Sequence, residues 1–259
     1  MQKFSQQGYT LVELMIGGVL GLFLFAGALQ VFLSTSQTTT LQTSIADLQE
    51  RARFINKYFM REFERAGWKA PTSTATTTPV PITFSGTTQT AEDITACNGG
   101  SLMCDRIRIT YEGTRDCLGA QVAGGALGVV TNTYFVTNGQ LRCEGNTAGT
   151  NDVILDNVES FQLQYGLDDS TAMRLPYTLT STVKDGVVDR YVDAYNFTTS
   201  GLEQPVAIRF AILLRSAEDN AYDQNTANSF TLLNEATLNY NDRVLRLLVT
   251  GTQIVANGE

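Results

Sequence analysis

Residues 14–33 form an unbroken run of twenty residues without a charged side chain, including Leu20, Leu22, Phe23, Leu24, Phe25 and Leu29. Twenty helical residues rise about 30 Å, the thickness of a bilayer's hydrocarbon core. A core helix of a soluble domain seldom stays uncharged on every face for that length. The run therefore predicts a membrane-spanning helix. Lys3 precedes it, and no further positive charge appears until Arg51. The excess of positive charge on cytoplasmic flanks then leaves the N-terminus inside and everything after the span outside.

A cleaved secretory signal has the same order, positive then apolar, and Gly27-Ala28 could mimic its small-residue cleavage site. Glu13 argues against that reading. It stands directly before the span, where a lone carboxylate is expensive and calls for a partner and a purpose.

The helix is expected to continue beyond the membrane. Leu41, Ile45, Leu48, Ala52, Ile55, Phe59, Phe63 and Ala66 recur at spacings of three and four, an apolar stripe. Glu50, Arg51, Arg53, Lys57, Arg61, Glu62, Glu64 and Arg65 fall on the other faces. Gly67 is placed as a C-terminal cap, and Pro71 follows it.

Residues 71–90, rich in Thr, Ser and Pro, read as loop or linker. Beyond them the period falls to two. Ile107, Ile109 and Tyr111 alternate with polar residues, as do Phe161, Leu163 and Tyr165. Residues 131–136, 206–214 and 244–249 are further strands, with turns at Asn98-Gly99-Gly100, Asn138-Gly139 and Asp185-Gly186. The fold class is thus α+β: a long N-terminal helix, membrane-spanning and then amphipathic, followed by an antiparallel β-rich globular domain.

Composition removes several functions. The formal charge of −8 comes mostly from residues 67–259, which hold twelve basic and twenty-one acidic side chains. An acidic domain without basic runs is a poor partner for nucleic acid, which needs Lys/Arg clusters. The chain has no histidine, so His-activated Ser or Cys nucleophiles and His-based zinc sites are absent. Asp168-Asp169 could in principle serve carboxylate chemistry, but adjacent residues in a turn make a weak site. Asp219, Asn220, Asp223 and Asn225 gather oxygen ligands without the spacing of a calcium loop. No metal, cofactor or enzymatic activity is expected. Gly17 and Gly21 have the GxxxG spacing of close helix contacts, though such glycines more often only loosen a helix.

Cys97, Cys104, Cys117 and Cys143 are separated by six, twelve and twenty-five residues, which fits neither a CxxC redox motif nor paired zinc knuckles. Disulfides in an oxidising compartment are the better reading. Of the three pairings, Cys97–Cys104 with Cys117–Cys143 closes two local loops without crossing.

Gly8-Tyr9-Thr10-Leu11-Val12-Glu13-Leu14-Met15-Ile16 resembles the class III signal of type IV prepilins. The resemblance implies that a prepilin peptidase cuts after Gly8 and methylates the new amine of Tyr9. Tyrosine stands where phenylalanine is commoner, and keeps the ring. Glu13 then becomes the assembly residue, pairing with the N-terminal amine of a neighbouring subunit. Asp47-Leu48-Gln49-Glu50-Arg51-Ala52-Arg53-Phe54, Leu141-Arg142-Cys143 and the stretch from Asn157 to Gly166 are similar to minor pilins of the PilW family. That similarity also supports the Cys117–Cys143 bridge. It implies a minor pilin that helps initiate a type IV pilus and sits in its tip.

The organisation expected is a leader at 1–8, a helix at 9–66, a linker at 67–90 and a globular domain at 91–259. The expected location is a single-pass inner-membrane protein with a periplasmic C-terminal domain, then the extracellular pilus tip. The partners implied are the prepilin peptidase, other minor pilins, the major pilin, inner-membrane lipid before assembly and a tip adhesin, with no nucleic acid. The alternatives are a type II secretion pseudopilin of the tip complex and a pilus-borne adhesion or binding module.

Overall fold

The computed structural model describes residues 10–71, 82–83, 94–96, 103–168, 186–193, 205–219, 221–222, 224–234 and 237–257. One helix dominates it: α1, Leu11–Arg65, 55 residues or about 80 Å long. Thr10 is its N-cap, the Thr10 Oγ1 accepting the Glu13 amide at 3.3 Å. At the other end Gly67 takes φ 74°, the left-handed conformation expected of a residue just past a helix, and its amide reaches the Thr110 carbonyl at 2.8 Å.

The strands, in chain order, are β1 (Ile82–Thr83), β2 (Ile94–Ala96), β3 (Met103–Asp105), β4 (Ile107–Gly113), β5 (Gly128–Thr137), β6 (Gln140–Glu144) and β7 (Asn151–Asp156). They continue with β8 (Val158–Leu167), β9 (Arg190–Asp193), β10 (Ala207–Arg215), β11 (Thr226–Phe230), β12 (Leu238–Asp242) and β13 (Arg246–Ile254). Two main antiparallel sheets form, β1-β4-β5-β6-β7 and β13-β10-β8-β9, with small two-stranded pairs β11-β12 and β2-β3. The β5–β6 hairpin turns at Asn138 and Gly139, both at positive φ (51° and 71°), with Thr137 opposite Gln140. That is the two-residue turn whose twist matches the flanking strands. The turn signals Asn98-Gly99-Gly100 and Asp185 lie outside the described residues.

The long apolar strands alternate as their sequences require. Phe210, Ile212 and Leu214 of β10 and Phe161, Leu163 and Tyr165 of β8 join the main core with Ile55, Phe59 and Phe63 of α1. The opposite face of β10 is covered as well. Ala211 and Leu213 pack with Leu232, Phe230 and Leu238 of the β11–β12 hairpin. Arg246, its side chain 3% exposed, clamps that hairpin to the sheet. It bonds Glu159 at 2.6 and 3.0 Å, Asp242 at 2.7 Å, and lies 3.6 Å from the Tyr240 ring centroid.

The apolar stripe of α1 differs from the expected one in two places. Ile45 is 38% exposed, and Ser44 faces inward instead. Glu62, read as solvent-facing, is only 6% exposed. Consecutive residues are about 100° apart around a helix, so a stripe read at spacings of three and four drifts across faces. The sheet surface, not the periodicity, decides which residue is covered.

Candidate assembly interface

The two halves of α1 meet different environments. From Thr10 to Thr40 no side chain of the helix is covered by the chain's own fold. Fifteen large apolar residues there are exposed, among them Leu11 at 77%, Phe23 at 74% and Leu24 at 77%. The helix is long and apolar enough to cross a membrane. An apolar surface of that extent must be covered by lipid or by other apolar helices. Gly17 and Gly21 face open space within the chain, so only an external helix could use their spacing.

Glu13 is the single acid in the first turn of α1 and the only charge on the exposed half. The Glu13 carboxylate makes no side-chain contact among the described residues, and only its amide is engaged, at the Thr10 cap. The Thr10-x-x-Glu13 spacing is that of a capping box, a local signal overlooked in the motif. Gly8 and Tyr9 lie outside the described residues.

The second half of α1 is fixed to the domain by a stack of rings. Phe59 lies 5.3 Å from Phe63 and from Phe161, 5.4 Å from Phe210 and 5.6 Å from Tyr134, centroid to centroid. Beside the rings is a polar cluster. The Tyr134 hydroxyl donates to Glu62 Oε2 at 2.7 Å, and Arg65 donates to Oε1 at 3.2 Å. Asn132 Nδ2 reaches Glu62 at 3.4 Å and the Tyr111 hydroxyl at 3.3 Å. Tyr134's one proton is committed to Glu62, so Tyr58 is the donor in the 3.3 Å contact between the two phenols. Burial pushes the Tyr58 phenol up to about 12, and burial followed by the charge of Glu62 raises Tyr134 well above its ordinary value. Both phenols therefore stay protonated donors, and the buried carboxylate is satisfied.

Cys117 and Cys143 form a disulfide with Cα atoms 6.5 Å apart. The bond ties the loop after β4 to β6, across β5. Asp116 organises the same loop, accepting the amides of Leu118, Ala120 and Asn146 at 3.0 Å each. Cys104 is also disulfide-bonded; Cys97, its expected partner, lies outside the described residues. Replacing Cys117 and Cys143 together by serine should cost about 3–4 kcal/mol, the chain-entropy value for a 26-residue separation. Thermal unfolding of the full chain checks this, and an unchanged midpoint would contradict it.

Among the described residues no group of His, Cys, Asp and Glu side chains is placed to hold a metal ion. Asp219 is taken by Arg215, while Asn220 and Asp223 lie outside the described residues. Asp168 is buried and accepts the Gly186 amide at 2.7 Å, which makes it a turn brace; Asp169 is outside the described residues.

A free apolar helix leading an antiparallel sheet domain is a pilin-like architecture. The family described as type IV pilus-assembly protein W, PilW, matches residues 128–257, half of the chain, and the chain belongs to that family. Among solved structures it is similar to a type IV-like pilin from Thermus thermophilus, at 15% identity, over 83% of this chain and 96% of that one, with a TM-score of 0.41. No match to a curated protein was found. Family membership makes the chain a type IV pilus-related pilin, a structural class of protein whose partners are other pilins. Its apolar helix is compatible with a single-pass membrane anchor and with pilus association.

Proposed function

We propose that the chain is a minor pilin that helps initiate a type IV pilus and is retained in its tip. The observation that carries the reading is the uncovered first half of α1, apolar on every side and bearing one carboxylate, Glu13. Such a surface suits lipid before assembly and a bundle of like helices afterwards. A carboxylate inside that bundle needs a cation, and the N-terminal amine of a neighbouring subunit would supply it. In this reading a prepilin peptidase cuts between Gly8 and Tyr9 and methylates Tyr9. The β-rich domain is periplasmic before assembly, in keeping with its disulfides. Other minor pilins, the major pilin and a tip adhesin are the partners.

The chain should be recoverable from sheared pili, at low copy, as a mature form beginning with methylated Tyr9. N-terminal mass spectrometry of that fraction is the test. A start near Ala28, an uncut N-terminus, or absence from pili would overturn the reading.

A further inference from the structure

The second half of α1 carries a feature that neither the membrane anchor nor the ring stack uses. Arg53, Lys57, Arg61 and Arg65 recur every four residues and so form one ridge, with neighbours about 6 Å apart and a total rise of about 18 Å. Arg115, from the loop after β4, lines with the ridge a groove of about 790 Å³, to which Phe54 and Tyr58 also contribute. Three carboxylates also line it, and each is already engaged. Glu50 pairs with Arg53, Glu62 with Arg65 and Tyr134, and Asp116 with three backbone amides. Lys57 and Arg61, both exposed, have no ion-pair partner among the described residues. Arg115 donates to the Gly119 carbonyl at 2.7 Å, which leaves its charge uncompensated.

We propose that this groove docks a carboxylate-bearing surface of a neighbouring pilin subunit, an inference that rests on the filament reading above. The groove is positive on a chain of net charge −8, so it selects an acidic partner. Its excess is small, five cations against three engaged carboxylates, which suits a few discrete acids. A long polyanion would run past the groove onto an acidic surface that repels it. Lipid headgroups are out of reach in the anchored state. Arg53 lies twenty residues beyond Leu33, about 30 Å along the helix, several times the roughly 8–10 Å over which charges act at physiological salt. Phe54, 45% exposed, and Tyr58 add apolar contact beside the arginines, the residue mixture of binding hot spots. The ridge also continues the helix whose first half neighbours would cover in a filament.

Lys57 is the only lysine on the groove, which gives a direct test. A carbodiimide joins an amine to a carboxylate only where the two touch. Native membranes and sheared pili containing the full chain are treated with it and peptide-mapped. The expected product links the Lys57 peptide to an Asp or Glu of another pilin; it disappears in about 1 M salt, where screening acts within roughly 3 Å, and in Lys57→Gln. The double variant Lys57→Glu/Arg61→Glu should enter pili at least tenfold less, with unchanged membrane level and melting. A link only to Glu50 of the same chain, a nuclease-sensitive adduct, or normal incorporation of the double variant would overturn the proposal. If the chain reaches pili without a Lys57 link, the groove assignment fails and the filament reading stands. If Lys57 links to a pilin in membranes but the chain never enters pili, the reverse holds.

Discussion

Glu13→Ala should lower incorporation into pili by a hundredfold or more, while leader processing and membrane insertion continue. If Glu13 pairs with a neighbour's N-terminal amine in an apolar bundle, removing it strands a buried cation. Breaking a buried pair in that way costs about 3–5 kcal/mol. The structure offers a second, weaker role, since Glu13 is the acid of the first helical turn and its amide is capped by Thr10. An acid at that position contributes about 0.3–1 kcal/mol through the helix dipole, worth at most about fivefold. The two roles therefore predict effects of different size. A third view makes Glu13 only a mark for the peptidase, and a variant that is cut should then assemble normally. Comparing membrane and sheared-pilus fractions of wild type, Glu13→Ala and Glu13→Gln separates the three. Equal amounts of cut mutant and wild type in pili would exclude the pairing role, and a loss of fivefold or less would reduce it to capping. The β-rich domain should melt at the same temperature in all three proteins, because Glu13 touches nothing in it.

Phe59→Ala should destabilise the domain by about 3–5 kcal/mol, the usual cost of emptying a fully packed aromatic site. Phe59 is 0% exposed and joins α1 to both sheets, through Tyr134 of one and Phe161 and Phe210 of the other. For a unit of this size each kcal/mol moves the melting temperature by about 2–4 °C, so a fall of roughly 6–20 °C is expected. Hydrogen exchange along residues 44–66 should rise more than exchange within β8 and β10, since the rings are what hold the helix down. Ile45→Ala is the matched control. Ile45 belongs to the same apolar stripe by sequence but is 38% exposed, and its loss should change stability by about 0.5 kcal/mol or less. Equal effects of the two substitutions would show that the periodic stripe, rather than the ring stack, fixes the helix.

Residues 14–33 were legible as an apolar helix compatible with a membrane anchor, because twenty uncharged helical residues need an apolar cover on every face. The helix stop at Gly67, the Asn138-Gly139 hairpin and the alternating strands around Ile109, Phe161 and Phe210 were legible for a related reason. Each follows from backbone sterics or from a two-residue period confined to a few neighbouring positions. Cys117–Cys143 belongs to the one of three pairings favoured because its loops do not cross, with the family resemblance in support, and the structure forms it. What the sequence left open depends on residues far apart in the chain. β11 and β12 carry mostly polar residues and form through pairing with one another and cover from β10. Glu62 looked like a solvated helix charge because its partners Tyr134 and Asn132 lie 72 and 70 residues away. Burying that carboxylate is tolerable only once those donors are in place, and no local pattern announces them. The positive groove has the same origin. Arg53, Lys57, Arg61 and Arg65 share one helix with Glu50 and Glu62, but Arg115 and the braced Asp116 reach the groove from the loop that the Cys117–Cys143 bond ties across β5.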